Sequence, residues 1–182
     1  MKTISRILKN KKGLSIPLAI AIVIALIMIM AGISEYIRLN VITQGVRDAL
    51  QSAIISTVND NYDDVYHGVR EGYAGGYQPS GSGFVASVNH GEIWDRLDNL
   101  LGLQQSGGYH LKIIGSGHQE LKLSGLNVNV QNTALAPSDP ENARRFTADA
   151  VIQLEVPLGF AGNALPPLQV TLKVKAGWIK KF

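Results

Sequence analysis

From Leu14 to Ile33 the chain runs twenty residues without a charge, and only Ser15 and Pro17 interrupt its apolar character. No other feature constrains the fold so strongly. An α-helix rises about 1.5 Å per residue, so twenty residues reach about 30 Å, one hydrocarbon thickness. Eleven of the twenty are Leu, Ile or Val. Near a membrane centre they favour insertion by roughly 3–7 kcal/mol, an upper value because the gain falls toward the edges. Pro17 sits in the first turn, where its missing N–H has no intrahelical partner to lose, and Ser15 is placed to cap that turn.

The charge distribution supports the same reading. The net charge is +3, yet Lys2, Arg6, Lys9, Lys11 and Lys12 all precede Gly13 and no acid occurs before Glu35. Beyond Gly13 there are twelve basic and fourteen acidic residues, so the basicity is that of residues 1–13 alone. A basic segment ahead of an apolar run holds that end in the cytoplasm during insertion. It is not the pattern of a nucleic-acid surface. With no cysteine, a disulfide framework and thiolate metal sites are excluded.

Beyond Gly32 the pattern becomes amphipathic. Ile33, Tyr36, Ile37, Val41, Val46, Leu50, Ala53, Ile54 and Val58 recur at steps close to one helical face. Glu35, Arg38, Asn40, Gln44, Arg47, Asp48 and Gln51 fall between them. The expectation is therefore a transmembrane helix over 14–33 and an amphipathic extension over 34–58, weakened at Gly45. Three fates are open to such a segment. A secretory signal would be cut near Gly32-Ile33-Ser34, although the apolar core exceeds the usual length. A plain anchor fits length and charge. A prepilin-like segment would be cut beside Gly13 and then used for assembly.

The basic leader ending in Lys11-Lys12-Gly13, the apolar run, and then "GISEYIRL" (32–39) with its amphipathic continuation resemble the N-terminal region of TadE-like proteins. These are minor pseudopilins of tight-adherence (Tad/Flp) pilus systems. The resemblance covers about residues 9–55. It implies a processing site at Gly13 and Leu14, and helix packing and register set by Pro17, Gly32, Glu35, Tyr36 and Arg38. Implied partners are the lipid bilayer, other pilins or pseudopilins, a membrane platform protein and a prepilin-type peptidase, with no nucleic acid. The chain departs from prepilin-like proteins in one place: glutamate usually stands five residues after the processed glycine, and Leu18 stands there. Glu35 and Arg38 are either an exposed pair one turn apart, worth little, or groups that meet charges on a neighbouring subunit.

Residues 59–182 are long enough for a core of their own. "NDNYDD" (59–64) ends the helical pattern, and "GYAGGYQPSGSG" (72–83) reads as a flexible loop with solvated tyrosines at 73 and 77. Asn89-His90-Gly91-Glu92 has the form of a capping box ahead of a short amphipathic helix, 92–101, packed on a sheet. "HLKIIG", "ELKLSGLNVNV", "RFTADAVIQLEVPL" and "LQVTLKVKAGWI" alternate at period two, as strands of an antiparallel sheet with one wet face do. "ALAPSDPEN" (134–142) is a turn-rich connection between the second and third. The fold class expected is α+β: a long N-terminal helix followed by a small domain with an antiparallel sheet and a short helix.

No chemistry stands out. His67, His90, His110 and His118 lack ligand spacing and read as surface residues. "NDNYDD" lacks the glycine and terminal glutamate of a calcium loop. "GSGF" and "GSGH" lack the context of phosphate loops, and no nucleophile elbow occurs. Neither enzyme activity, cofactor nor metal is expected. The expectation is a single-pass protein with a cytoplasmic N-terminus and an extracytoplasmic domain, serving a pilus or related secretion apparatus. Rival readings are a secreted binding module released after Ser34, and an envelope accessory protein or anchored enzyme.

Overall fold

The computed structural model describes residues 15–63, 76–90, 92–115, 117–135, 138–139, 142, 144–159 and 165–177. The architecture is α+β. Helix α1 (Ser15–Asp63) is followed by a hairpin of β1 (Tyr77–Ser80) and β2 (Gly83–Ala86), then by helix α2 (Ile93–Leu101). The strands β3 (Gln104–Ser106), β4 (Tyr109–Ile114), β5 (His118–Gln131), β6 (Thr147–Val156) and β7 (Leu168–Gly177) form one sheet. Its order follows the chain, β3-β4-β5-β6-β7, with every neighbouring pair antiparallel.

α1 is one unbroken helix of 49 residues, about 73 Å long at 1.5 Å per residue. It does not stop at Val58 but runs on through Asp63. Asn61 explains the extension. Its side chain is buried and donates to the carbonyls of Thr57 and Asn89 at 2.8 and 2.7 Å, and it accepts the N–H of Asn89 at 2.7 Å. Its own carbonyl accepts the N–H of Gly76. "NDNYDD" is thus, as far as described, a helix end nailed to two incoming strands of chain. Ser15 is already helical, so the capping position precedes it and lies outside the described residues.

The outer half of α1 lies along β6 and β7. Val46, Leu50, Ala53, Ile54 and Val58 share one buried core with Leu121, Leu123, Ala148, Ala150, Ile152, Leu154, Val156, Leu172 and Val174. The alternation in β5, β6 and β7 is real. In β4 the parity is reversed, with His110 opposite the buried Leu123, Leu111 opposite Lys122, and Ile113 and Ile114 both exposed. The sheet face opposite the core is wet. It carries the cross-strand pairs Lys122–Glu155 and Lys175–Asp149. In "ELKLSGLNVNV" the apolar residues change parity after Leu123. A bulge between Ser124 and Asn127 absorbs the extra residue, with Gly125 at φ 62°, so Leu126, Val128 and Val130 stay on the core side.

Four details differ from the sequence reading. The 72–83 stretch is not simply a loop: from Tyr77 it forms a hairpin, and the Tyr77 hydroxyl donates to the Thr133 carbonyl at 2.6 Å. Tyr73 lies outside the described residues. No capping box forms, because the N-cap of α2 is Glu92, without a side-chain cap bond, while the Asn89 backbone is held by Asn61. α2 reaches the sheet through Trp94 and Asp98 on His110 of β4, but makes its larger contact with α1. Arg96 ties it there, bonded to Asp60 at 2.6 Å and to Ser56. The step from Val41 to Val46 is not part of one stripe, for reasons given below.

Replacing Asn61 with Ala removes two part-buried hydrogen bonds to the Asn89 backbone. The expected loss is about 1–3 kcal/mol, against under about 0.5 kcal/mol for the exposed Asn59→Ala. Chemical unfolding of the full chain in detergent micelles measures both.

Candidate functional site

Among the described residues, nothing covers the apolar N-terminal half of α1. Its most apolar window is wholly unburied, and Ile16, Leu18, Ile20, Ile22, Ile24 and Leu26 are each more than half exposed. A core helix of a water-soluble domain would be mostly covered. α1 is long and apolar enough to cross a membrane, which is compatible with a single-pass anchor. Pro17 lies exposed in its first turn. Gly32 is exposed, and a methyl group added there would meet nothing within 4 Å. Gly13 and Leu14 lie outside the described residues.

Where the apolar half of α1 meets the sheet domain, Glu35 and Arg38 form a clamp. Arg38 Nη1 lies 2.6 Å from Glu35 Oε1. That same oxygen accepts the N–H of Gly159 at 2.9 Å, and Arg38 donates to the Pro157 carbonyl at 3.3 Å. Both bonds reach across more than a hundred residues to the end of β6. A Cβ on Gly159 would stand 3.3 Å from Glu35 Oε2, so the backbone comes closest where it has no side chain. The pair forms one turn apart, as the first sequence reading has it, but it is not exposed. Glu35 is only 16% exposed, not a solvent-facing surface group, and its partners are within the chain.

The clamp also decides which way the helix faces. The buried line of α1 begins Glu35, Arg38, Leu39, Ile42 and continues with Val46, Ala49 and Leu50. Ile33, Tyr36, Ile37 and Val41, assigned above to the buried stripe, point the other way, at 55, 67, 55 and 66% exposed. Five residues advance a helix by about 140°, so the step from Val41 to Val46 changes face. Two apolar stripes overlap between residues 33 and 42, and that five-residue step is the signal that separates them.

The histidines resolve individually. His110 is buried, contrary to the surface reading. Its Nδ1 sits 2.6 Å from Asp98 Oδ1, and its ring stacks on Trp94 with centroids 3.7 Å apart. It joins α2 to β4. His90 and His118 are exposed, and His67 lies outside the described residues. Among the described residues no group of three His, Cys, Asp or Glu side chains could hold a metal. Comparison with protein-family models, with curated proteins and with solved structures finds no match.

Glu35→Ala should free the Gly159 amide. The expected change is about 1 kcal/mol of local protection, roughly a fivefold faster exchange, with the amides of residues 150–154 unchanged. Glu35→Gln, which keeps an acceptor, should retain part of the protection. Hydrogen exchange on the full chain in micelles reads all three.

Proposed function

We propose that the protein is a membrane-anchored minor pilin or pseudopilin of a Tad-type pilus or related secretion apparatus. Its N-terminus is cytoplasmic and its sheet domain extracytoplasmic. The single observation that carries the reading is the naked apolar half of α1, joined without a break to a helix that is built into a folded domain. Such a rod has two surfaces to satisfy. The domain covers one end. Lipid covers the other before assembly, and neighbouring pilin helices replace lipid afterwards, with van der Waals packing between close-approaching helices supplying the contact. Gly32 suits this role because nothing in its own chain fills the space beside it. The likeness of "GISEYIRL" to TadE-like proteins supports the choice of apparatus. A platform protein and a prepilin-type peptidase are the further partners that the proposal brings with it, and its work is structural, not enzymatic.

The anchor-or-signal question favours the anchor on one observation. The candidate signal-cleavage residues 32–34 lie inside α1, immediately before the clamp, and not in an exposed loop.

Intact-mass measurement of the native protein tests the processing step. A chain starting at Leu14 is expected. A start at Glu35 would point to secretion and sink the proposal, and an unprocessed chain would reduce the protein to a plain anchor. Gly32→Leu provides a second check. It should leave unfolding in micelles unchanged within about 0.5 kcal/mol while reducing co-purification with the pilus fraction.

A further inference from the structure

The level at which the domain meets α1 has a consequence for the membrane. Counting from Ile16, twenty residues end at Glu35, about 30 Å of helix and one hydrocarbon thickness. The clamp to Pro157 and Gly159 is therefore at the hydrocarbon edge, with no stalk between span and domain. On α1 the two charges nearest that level, Glu35 and Arg38, neutralise each other and are hydrogen-bonded within the chain. The described parts of the β6–β7 connection, 157–159 and 165–167, carry no charge, and Leu165 is 46% exposed. On the opposite side of the helix, Ile33, Tyr36, Ile37 and Val41 carry the lipid-type surface of the span past the clamp. Val41 is six residues beyond Glu35, about 9 Å along the axis. The headgroup layer adds only about 5–7 Å per side, and tyrosine is enriched there. The face then turns polar at Gln44, Arg47, Asp48 and Gln51, all exposed.

We infer that the outer domain is seated on the bilayer, with the exposed face Ile33-Tyr36-Ile37 and the Leu165 end of the sheet both immersed in the interfacial layer of the lipid and Val41 at its outer rim. The inference rests on the reading of α1 as an anchor, but not on any role in a filament. The occupant is lipid because the face is continuous with the span itself: Tyr36 and Ile37 fall about 1.5 and 3 Å past Glu35, inside the headgroup layer, and only Val41 lies just beyond its outer boundary. The internal Glu35–Arg38 pairing leaves no unpaired charge from the clamp to oppose immersion. A seat of this kind limits how the domain can pivot before assembly and presents the wet sheet face sideways along the membrane.

The chain lacks cysteine, so single cysteines can carry an environment-sensitive fluorophore. The four positions are Ile24→Cys in the span, Ile37→Cys on the exposed face, Leu165→Cys at the sheet end, and Asn59→Cys near the far end of α1. The full chain is placed in phosphatidylcholine vesicles that contain a minor share of lipid with a nitroxide on its acyl chain, and iodide is the aqueous quencher. The expected result is lipid quenching at 24, 37 and 165 several-fold above that at 59, and iodide quenching strong only at 59. Lipid quenching at 24 with iodide reaching 37 or 165 as freely as 59 overturns the seat and leaves the anchor standing. Absence of lipid quenching at 24 overturns the anchor, and the seat with it. Shielding of 37 from both quenchers, with disulfide formation between unlabelled Ile37→Cys chains, overturns the seat in favour of a second copy on that face.

Discussion

The structure depends on one backbone constraint. A segment without water to bond its peptide groups must satisfy them internally, and a helix does so within itself. α1 carries that solution past the apolar stretch and into the domain without a break. The same rod that lipid can surround at one end is the cover the sheet needs at the other. An antiparallel sheet with one apolar face has to bury it against something, and here the outer half of α1 supplies the surface.

Two polar anchor points hold the rod in place. At the inner end Glu35 and Arg38 grip the backbone around Gly159; at the outer end Asn61 grips the backbone of Asn89 and Gly76. Between them the contact is apolar and has no direction of its own. Hydrophobic burial supplies the driving force but would tolerate rotation or sliding of a helix over a sheet. Hydrogen bonds to fixed backbone groups at both ends remove that freedom. The buried Asn61 uses all of its side-chain donors and its acceptor in this work, which is what makes its burial tolerable.

Some parts of this arrangement were legible residue by residue. The uncharged run, the short helix near residues 92–101 and the last four strands follow from hydropathy and spacing, because those patterns report local geometry directly. Other parts were not. β1 and β2 lie in a glycine-rich stretch whose composition is that of a loop, and they are held by contacts from Asn132 and Thr133 more than fifty residues away. His110 alternates with its strand neighbours like any surface residue, and only the docking of Trp94 and Asp98 from α2 buries it. The clamp could be seen as a charged pair one turn apart, but its carbonyl and N–H partners belong to backbone, which carries no sequence signature.

What the chain determined by itself is therefore the rod: its length, its apolar inner half, and the existence of an α+β domain beyond it. These depend on side-chain character averaged over many consecutive residues, which no later contact can alter. The tertiary structure alone decided which side of the rod faces inward between residues 33 and 42. Two apolar stripes compete there at similar strength, and the choice falls to Glu35 and Arg38. Their hydrogen bonds to residues 157 and 159 turn the polar side toward the domain and leave Tyr36, Ile37 and Val41 outside.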